Sequence, residues 1–400
     1  MTILKILTGL LLAVCPFFIL PNQDTREPKM IFSLVISMAI ILSVFYYGYF
    51  KPVKNKWILL FLMYLPVCIF FSPKPDISLM NMPVFNFWIW KASSIFIIFS
   101  LFIISIYSID FSFSDRLMFL RIMTWCGFLM SCYMILQYFG IDQFFYLRDL
   151  PISSLPPSAR VGGTMGHPTI VAPFVAMIIP LALYFKKYLF AVLMIVAVIM
   201  TKSCVAIIAL ILSLLFILSL KNRFLMVGII LISILTGVLV RDLYICNPKI
   251  KKFINVSSSG RLNVWKLAFS DITKPLDKEK GNAYPLTGFS PGTFYYLFHI
   301  RHSDGVWDFL QAHNEYLELM YDTGIVGLCL FLCVLINLIW KNILDGLNRY
   351  RQYLLFSLVY ISICAGGTFV WHIAPIIIYS GIIAGFLAKP KQEEEELCVI

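Results

Sequence analysis

Of 400 residues, 60% are hydrophobic, 16% aromatic and only 13% charged, and the mean hydropathy is +0.86. Water-soluble domains carry about a quarter charged residues, so lipid is the main solvent of this chain and a soluble globular fold is excluded. The net charge of +11 does not mark a nucleic-acid binder: Lys and Arg cluster in short connectors between apolar runs, and no RNA- or DNA-binding signature accompanies them.

A helix needs roughly 17–25 apolar residues to cross the hydrocarbon core. About twelve such runs are predicted, near 3–20, 30–50, 57–72, 87–108, 117–139, 168–185, 188–200, 203–220, 224–240, 322–340, 353–370 and 373–388. The first, Ile3 to Leu20, resembles a signal-peptide core. It lacks an Ala-x-Ala site and is followed by further spans, so it reads as a retained first helix. Alternate connectors hold the basic clusters: Lys51, Lys54 and Lys56; Arg116; Lys186 and Lys187; Lys221 and Arg223; Lys341, Arg349 and Arg351; Lys389 and Lys391. The positive-inside rule makes these connectors, and both termini, cytoplasmic. The remaining connectors, with Arg26, Lys29, Lys74, Arg148, Arg160 and Lys202, then face outward.

The expected fold class is therefore an all-α polytopic membrane protein of about twelve transmembrane helices, with a large external loop between spans nine and ten in a GT-C-like plan. Three regions follow: 1–240, a bundle of about nine helices with an external segment at 140–167; 241–321, the large external loop with amphipathic helices; and 322–400, the last transmembrane helices and a cytoplasmic tail. A long external loop is where chemistry is expected. The two halves show no repeat of the kind transporters carry. Of ten cysteines only Cys246 falls in an external loop, so no disulfide framework is implied.

Lys91, in Phe87-Trp88-Ile89-Trp90-Lys91 at the outer end of span four, is a functional candidate as an ionisable group within a span, whereas Arg121 snorkels from span five. The large loop opens with Ser257-Ser258-Ser259-Gly260-Arg261, a helix-start signal. Leu262, Trp265, Phe269 and Ile272 then share one face of a predicted amphipathic helix that lies on the membrane surface or against the bundle. Arg261 in its first turn is either an anion site at a helix N-terminus or an interfacial arginine reaching toward headgroups. Gly288 and Gly292 allow close backbone approach to a ligand or to another helix. The loop closes on His313-Asn314, from which a helix descends into the membrane. An imidazole there suits general-base work, with an ordinary interfacial histidine as the alternative. Asp24 with Glu27, and Asp304 with Asp308, read as solvated surface, so no metal site is expected. His299, His302 and His372 read as polar loop residues.

His313-Asn314, nine residues and Gly324-x-x-Gly327 resemble the His-Asn-x9-Gly-x-x-Gly signature of the O-antigen ligase and polymerase superfamily. The Gly260-Arg261…Trp265 helix and the Gly288-x-x-x-Gly292 turn precede it in that family's order. Arg160-x-x-Gly163-Thr164…His167-Pro168 is similar to its Arg-x-x-Gly-Thr…Asn-Pro segment. The likeness spans residues 160–330. It departs at His167, where the family has Asn, and at Asp322, where it has Glu; no amide role is carried to His167.

The resemblance implies a bacterial inner-membrane glycosyltransferase with its site facing the periplasm. It would move a glycan from undecaprenyl diphosphate to a hydroxyl of lipid A core or of another glycan, without cofactor or metal. Membrane lipids are partners and nucleic acid is not. His313, Arg261 and Arg160 are the expected catalytic residues, the arginines holding the diphosphate and the histidine taking the acceptor proton; Asn314, Gly163, Lys91, Trp265 and Asp322 are expected to bind substrate. Polymerase and protein O-oligosaccharyltransferase activities are the neighbouring alternatives. A flippase or transporter is the alternative from another class, and a cell-wall glycan polymerase would want an Asp that is not seen in the expected setting.

Overall fold

The computed structural model describes residues 1–19, 27–49, 55–71, 92–141, 161–220, 261–273, 285–294, 297–298, 302 and 311–389. The regular elements among them are helical: α1 (Thr2–Val14), α2 (Glu27–Tyr46), α3 (Lys56–Phe70), α4 (Ala92–Ser108), α5 (Phe113–Tyr138), α6 (Pro168–Tyr184), α7 (Tyr188–Met200), α8 (Cys204–Ser219), α9 (Arg261–Thr273), α10 (Glu315–Leu344), α11 (Arg349–Ala365) and α12 (Ala374–Leu387), with 3-10 turns at Cys15–Phe17 and Gly163–Met165. The expected ninth span, the loop before α9 and residues 274–284 just after it lie outside the described residues. Among the described residues, three helices are long and apolar enough to cross a membrane: Pro28–Tyr46 within α2, α5 and α10. Most of the other bundle helices are apolar but run only 13–17 residues.

Side chains at the helix entrances explain where the helices start. The Ser112 hydroxyl accepts from the Asp115 amide at 3.3 Å while the Asp115 carboxylate takes the Ser112 amide at 3.2 Å, a capping box that opens α5. The Asn55 carboxamide oxygen caps α3 through Trp57 and Ile58, and that of Asn348 caps α11 through Arg351. The His167 ring accepts from the Thr169 amide (3.3 Å) in front of Pro168, whose missing N–H costs nothing at the first helical position.

The core sits around α6. Every residue from Ile170 to Ala182 is buried, as a helix apolar on all sides must be, and α5, α7 and α11 pack against it. Gly127 lets α5 close on α6 and α7, because a Cβ there would meet Ile178 and Met194 at 2.9–3.0 Å. One end of the bundle gathers charge: Lys5 pairs with Asp115 at 2.8 Å, Lys389 with Asp110 at 3.3 Å, and Arg351 donates to Asn342 and to the Lys389 carbonyl. Lys29, expected in an outward connector, is instead buried near the opposite end, donating to the Phe18 and Thr164 carbonyls at 3.0 and 2.8 Å.

The loop residues build a second, smaller core. Val264, Ala268 and Ile272, at successive fourth positions of α9, pack with Phe289, Phe294, Phe298, Ala312 and Tyr321. This corrects the expected face of α9: Phe269 is 52% exposed, and the inward stripe is the one led by Val264. The helix turns that stripe to the 289–298 segment because aromatic rings there offer it a partner. Asp271, on the same buried side, is held by the His302 Nε2 at 3.1 Å and by the Tyr321 hydroxyl at 3.5 Å, so His302 anchors this core rather than standing in solvent.

Candidate functional site

The short segment before α10 is fixed at both backbone groups of Ala312. The Trp265 indole N–H donates to its carbonyl at 2.7 Å, and its own N–H donates to the Glu318 carboxylate at 2.9 Å. The next residue, His313, has φ +53°, a left-handed conformation that costs a side chain about 1–3 kcal/mol and persists only where its surroundings impose it. Asn314 then starts the helix, its Oδ1 accepting from the amides of Tyr316 and Leu317 at 3.1 and 3.2 Å.

The His313 ring packs edge-on against Phe369, centroids 4.7 Å apart. Burial, then the nearby Arg261 cation, then His167 push its pKa down to about 4. At neutral pH it is an uncharged imidazole able to take a proton. Arg261, at the first position of α9, donates through Nη1 to the Gly367 carbonyl at 3.0 Å. Burial lowers its basicity, yet a guanidinium stays charged at neutral pH. It has no carboxylate partner among the described residues, so its remaining donors favour an anion.

The α11–α12 connector closes the site from a third side. Gly367 takes Arg261, Phe369 covers His313, and the Trp371 amide donates to Glu315 at 2.6 Å. His372 bridges two carboxylates: Nδ1 to Glu315 at 3.0 Å and Nε2 to Glu318 at 3.2 Å. Packing against its neighbours works against a charge on this ring, although 38% of its side chain stays exposed. The two carboxylates outweigh that and hold the pKa well above the ordinary histidine value. His372 is thus an integral part of the cluster, not the polar loop residue it resembles in sequence. Glu315 and Glu318 were also overlooked. Their signal was present, since two carboxylates three apart on a helix entering an apolar run need a cation nearby.

The structure therefore brings Arg261, Trp265, His313 and Asn314 together, with His167 close enough to act on His313 electrostatically. Gly163 sits in the turn that leads to His167; it has φ +55° and its amide is held by Gln137 at 2.8 Å. Asp322 lies about two helical turns beyond the start of α10 and accepts from the Gly292 amide at 2.6 Å. It secures the glycine turn, and no hydrogen bond joins it to His313 among the described residues. Arg160 and Lys91 lie outside the described residues.

Residues 189–332 match the family model described as O-antigen ligase. The matched stretch begins at α7 and contains α9, the glycine turn, His313 and the first half of α10, which supports the O-antigen ligase and polymerase superfamily. The Arg160–Pro168 segment precedes it. No curated protein matches the chain.

Proposed function

We propose that this chain, which carries its O-antigen ligase segment at residues 189–332, transfers a glycan from undecaprenyl diphosphate to an acceptor hydroxyl on lipid A core, at the outer face of the bacterial inner membrane. The observation that carries this reading is the pairing of an uncharged imidazole at His313 with an arginine, Arg261, that has no carboxylate partner among the described residues. In the proposed step the acceptor oxygen bonds to the anomeric carbon as the bond from that carbon to the diphosphate oxygen breaks. The hydroxyl proton passes to His313, and the leaving diphosphate keeps the electron pair. Attack from the opposite side inverts the anomeric centre.

The charges support this division of labour. Negative charge grows on the diphosphate as the bond breaks, and a fixed cation in a partly dry site stabilises it without reorganisation. Arginine suits this because its planar fork meets phosphate oxygens in pairs. Arg160 and Lys91 are proposed as further contacts for the donor, and Asn314 for either substrate. A base with pKa near 4 is weak while the site is empty. An arriving diphosphate offsets the Arg261 cation and favours the imidazolium, so base strength rises when donor is bound.

Deletion followed by glycolipid analysis tests the assignment. Loss of a ligase strands long polymer on undecaprenyl diphosphate, and this is the expected result. Single repeat units on lipid A core would identify a polymerase instead, and two normal pools would overturn both.

A further inference from the structure

We infer that His372 is a positioning residue for His313, acting through Glu318. His372 sits in the α11–α12 connector, far along the chain from the motifs of the loop. Both of its ring nitrogens lie within 3.2 Å of carboxylate oxygens, so both must carry hydrogen and the ring is an imidazolium. Glu315 and Glu318 are each 5% exposed, and the imidazolium between them is the counter-charge that two adjacent buried carboxylates need. All four of their oxygens are occupied. One oxygen of each faces His372, the second of Glu315 takes the Trp371 amide, and the second of Glu318 takes the Ala312 amide.

The Ala312 contact carries the mechanical consequence. It is one of the two bonds that clamp the residue immediately before His313, whose left-handed backbone needs to be imposed from outside. Without the imidazolium, Glu318 loses its charged partner and turns toward water, which draws its carboxylate off the Ala312 amide. The segment then relaxes toward an ordinary conformation, and the ring moves off Phe369 and away from Arg261. The donor-binding cation, Arg261, is held by a different group, the Gly367 carbonyl. Loss of His372 thus separates base placement from donor binding.

Amide hydrogen exchange at Ala312 and steady-state transfer, both on the full chain in lipid, test this; the transfer half rests on the glycan-transfer reading above. In His372→Gln, Ala312 exchange rises at least tenfold and kcat falls at least tenfold while KM for the donor stays within twofold. His372→Arg, whose fork can span two carboxylates and keeps the charge, restores both. Tyr316→Phe, which removes the neighbouring bond to the Ser362 carbonyl, leaves Ala312 protected. Folded His372→Gln with wild-type Ala312 protection overturns the inference, as does a loss of kcat that His372→Arg fails to restore. Should His372→Gln not fold, Glu318→Ala takes its place, and wild-type kcat in that variant overturns it equally. If the wild-type protein transfers no glycan, the functional reading fails by itself, and the exchange measurement still decides whether His372 holds Ala312.

Discussion

Gly288 and Gly324 meet backbone against backbone: a Cβ on Gly324 would collide with the Leu286 carbonyl, and one on Gly288 with the Gly324 nitrogen. Both have φ +68°. Four backbone hydrogen bonds stitch the segments together, the amides of Phe289, Ser290, Ile325 and Val326 donating to the carbonyls of Tyr321, Asp322, Pro285 and Leu286, and the Tyr64 hydroxyl lies within donating distance of both the Leu286 and Thr323 carbonyls. The Gly-x-x-Gly motif is thus where α10 breaks its helical path to accept the glycine turn.

Gly324→Ala should accordingly be among the most damaging single-methyl changes in the chain. The left-handed conformation alone costs about 1–3 kcal/mol, and the main-chain collision adds to it. Thermal denaturation in detergent is expected to show a clearly lowered midpoint, with transfer lost. A midpoint equal to wild type would mean that the two segments do not meet this way.

The low basicity of His313 predicts an unusual pH profile. The free-enzyme group titrates near 4, so kcat/KM, which reports the free enzyme, stays level through neutral pH and falls only as the pH drops through about 4 and the ring gains its proton. Removing a neighbouring cation makes protonation easier. Arg261→Ala therefore moves the acid limb to higher pH, toward the ordinary histidine value near 6.5. A downward or absent movement contradicts the coupling of these two residues.

Asn314 separates helix capping from substrate contact. Its oxygen is occupied by the amides of Tyr316 and Leu317. Asn314→Ala should cost about 1 kcal/mol of stability through the lost cap. Asn314→Asp keeps the capping oxygen and the melting midpoint, but replaces an amide donor by a negative charge where the anionic donor is proposed to bind. The expected outcome is an unchanged midpoint with a raised KM, read from paired melting and transfer assays.

Much of this site was legible in the sequence because it is written in short, ordered motifs. Apolar runs point to the helical membrane class and His313-Asn314 marks the start of α10, whereas the break at Gly324 shows only in the structure. What periodicity could not reveal was tertiary. The inward stripe of α9 was misread because Phe269 is more hydrophobic than Ala268, and only the aromatic wall at 289–298 decides between them. His372 was passed over because the carboxylates that need it lie more than fifty residues earlier. Trp265 and Asp322 stood out as chemistry-bearing residue types, yet in the structure they bind backbone, at Ala312 and Gly292 respectively.

The central claim is that His313 takes the acceptor proton while Arg261 holds the diphosphate. Transfer by purified protein in liposomes loaded with undecaprenyl-diphosphate glycan, with donor binding measured on the same preparations, tests it most directly. The account predicts that His313→Ala lowers turnover by about 100-fold or more at near-normal donor affinity, and that Arg261→Ala weakens donor binding. Near-full turnover by His313→Ala would contradict it.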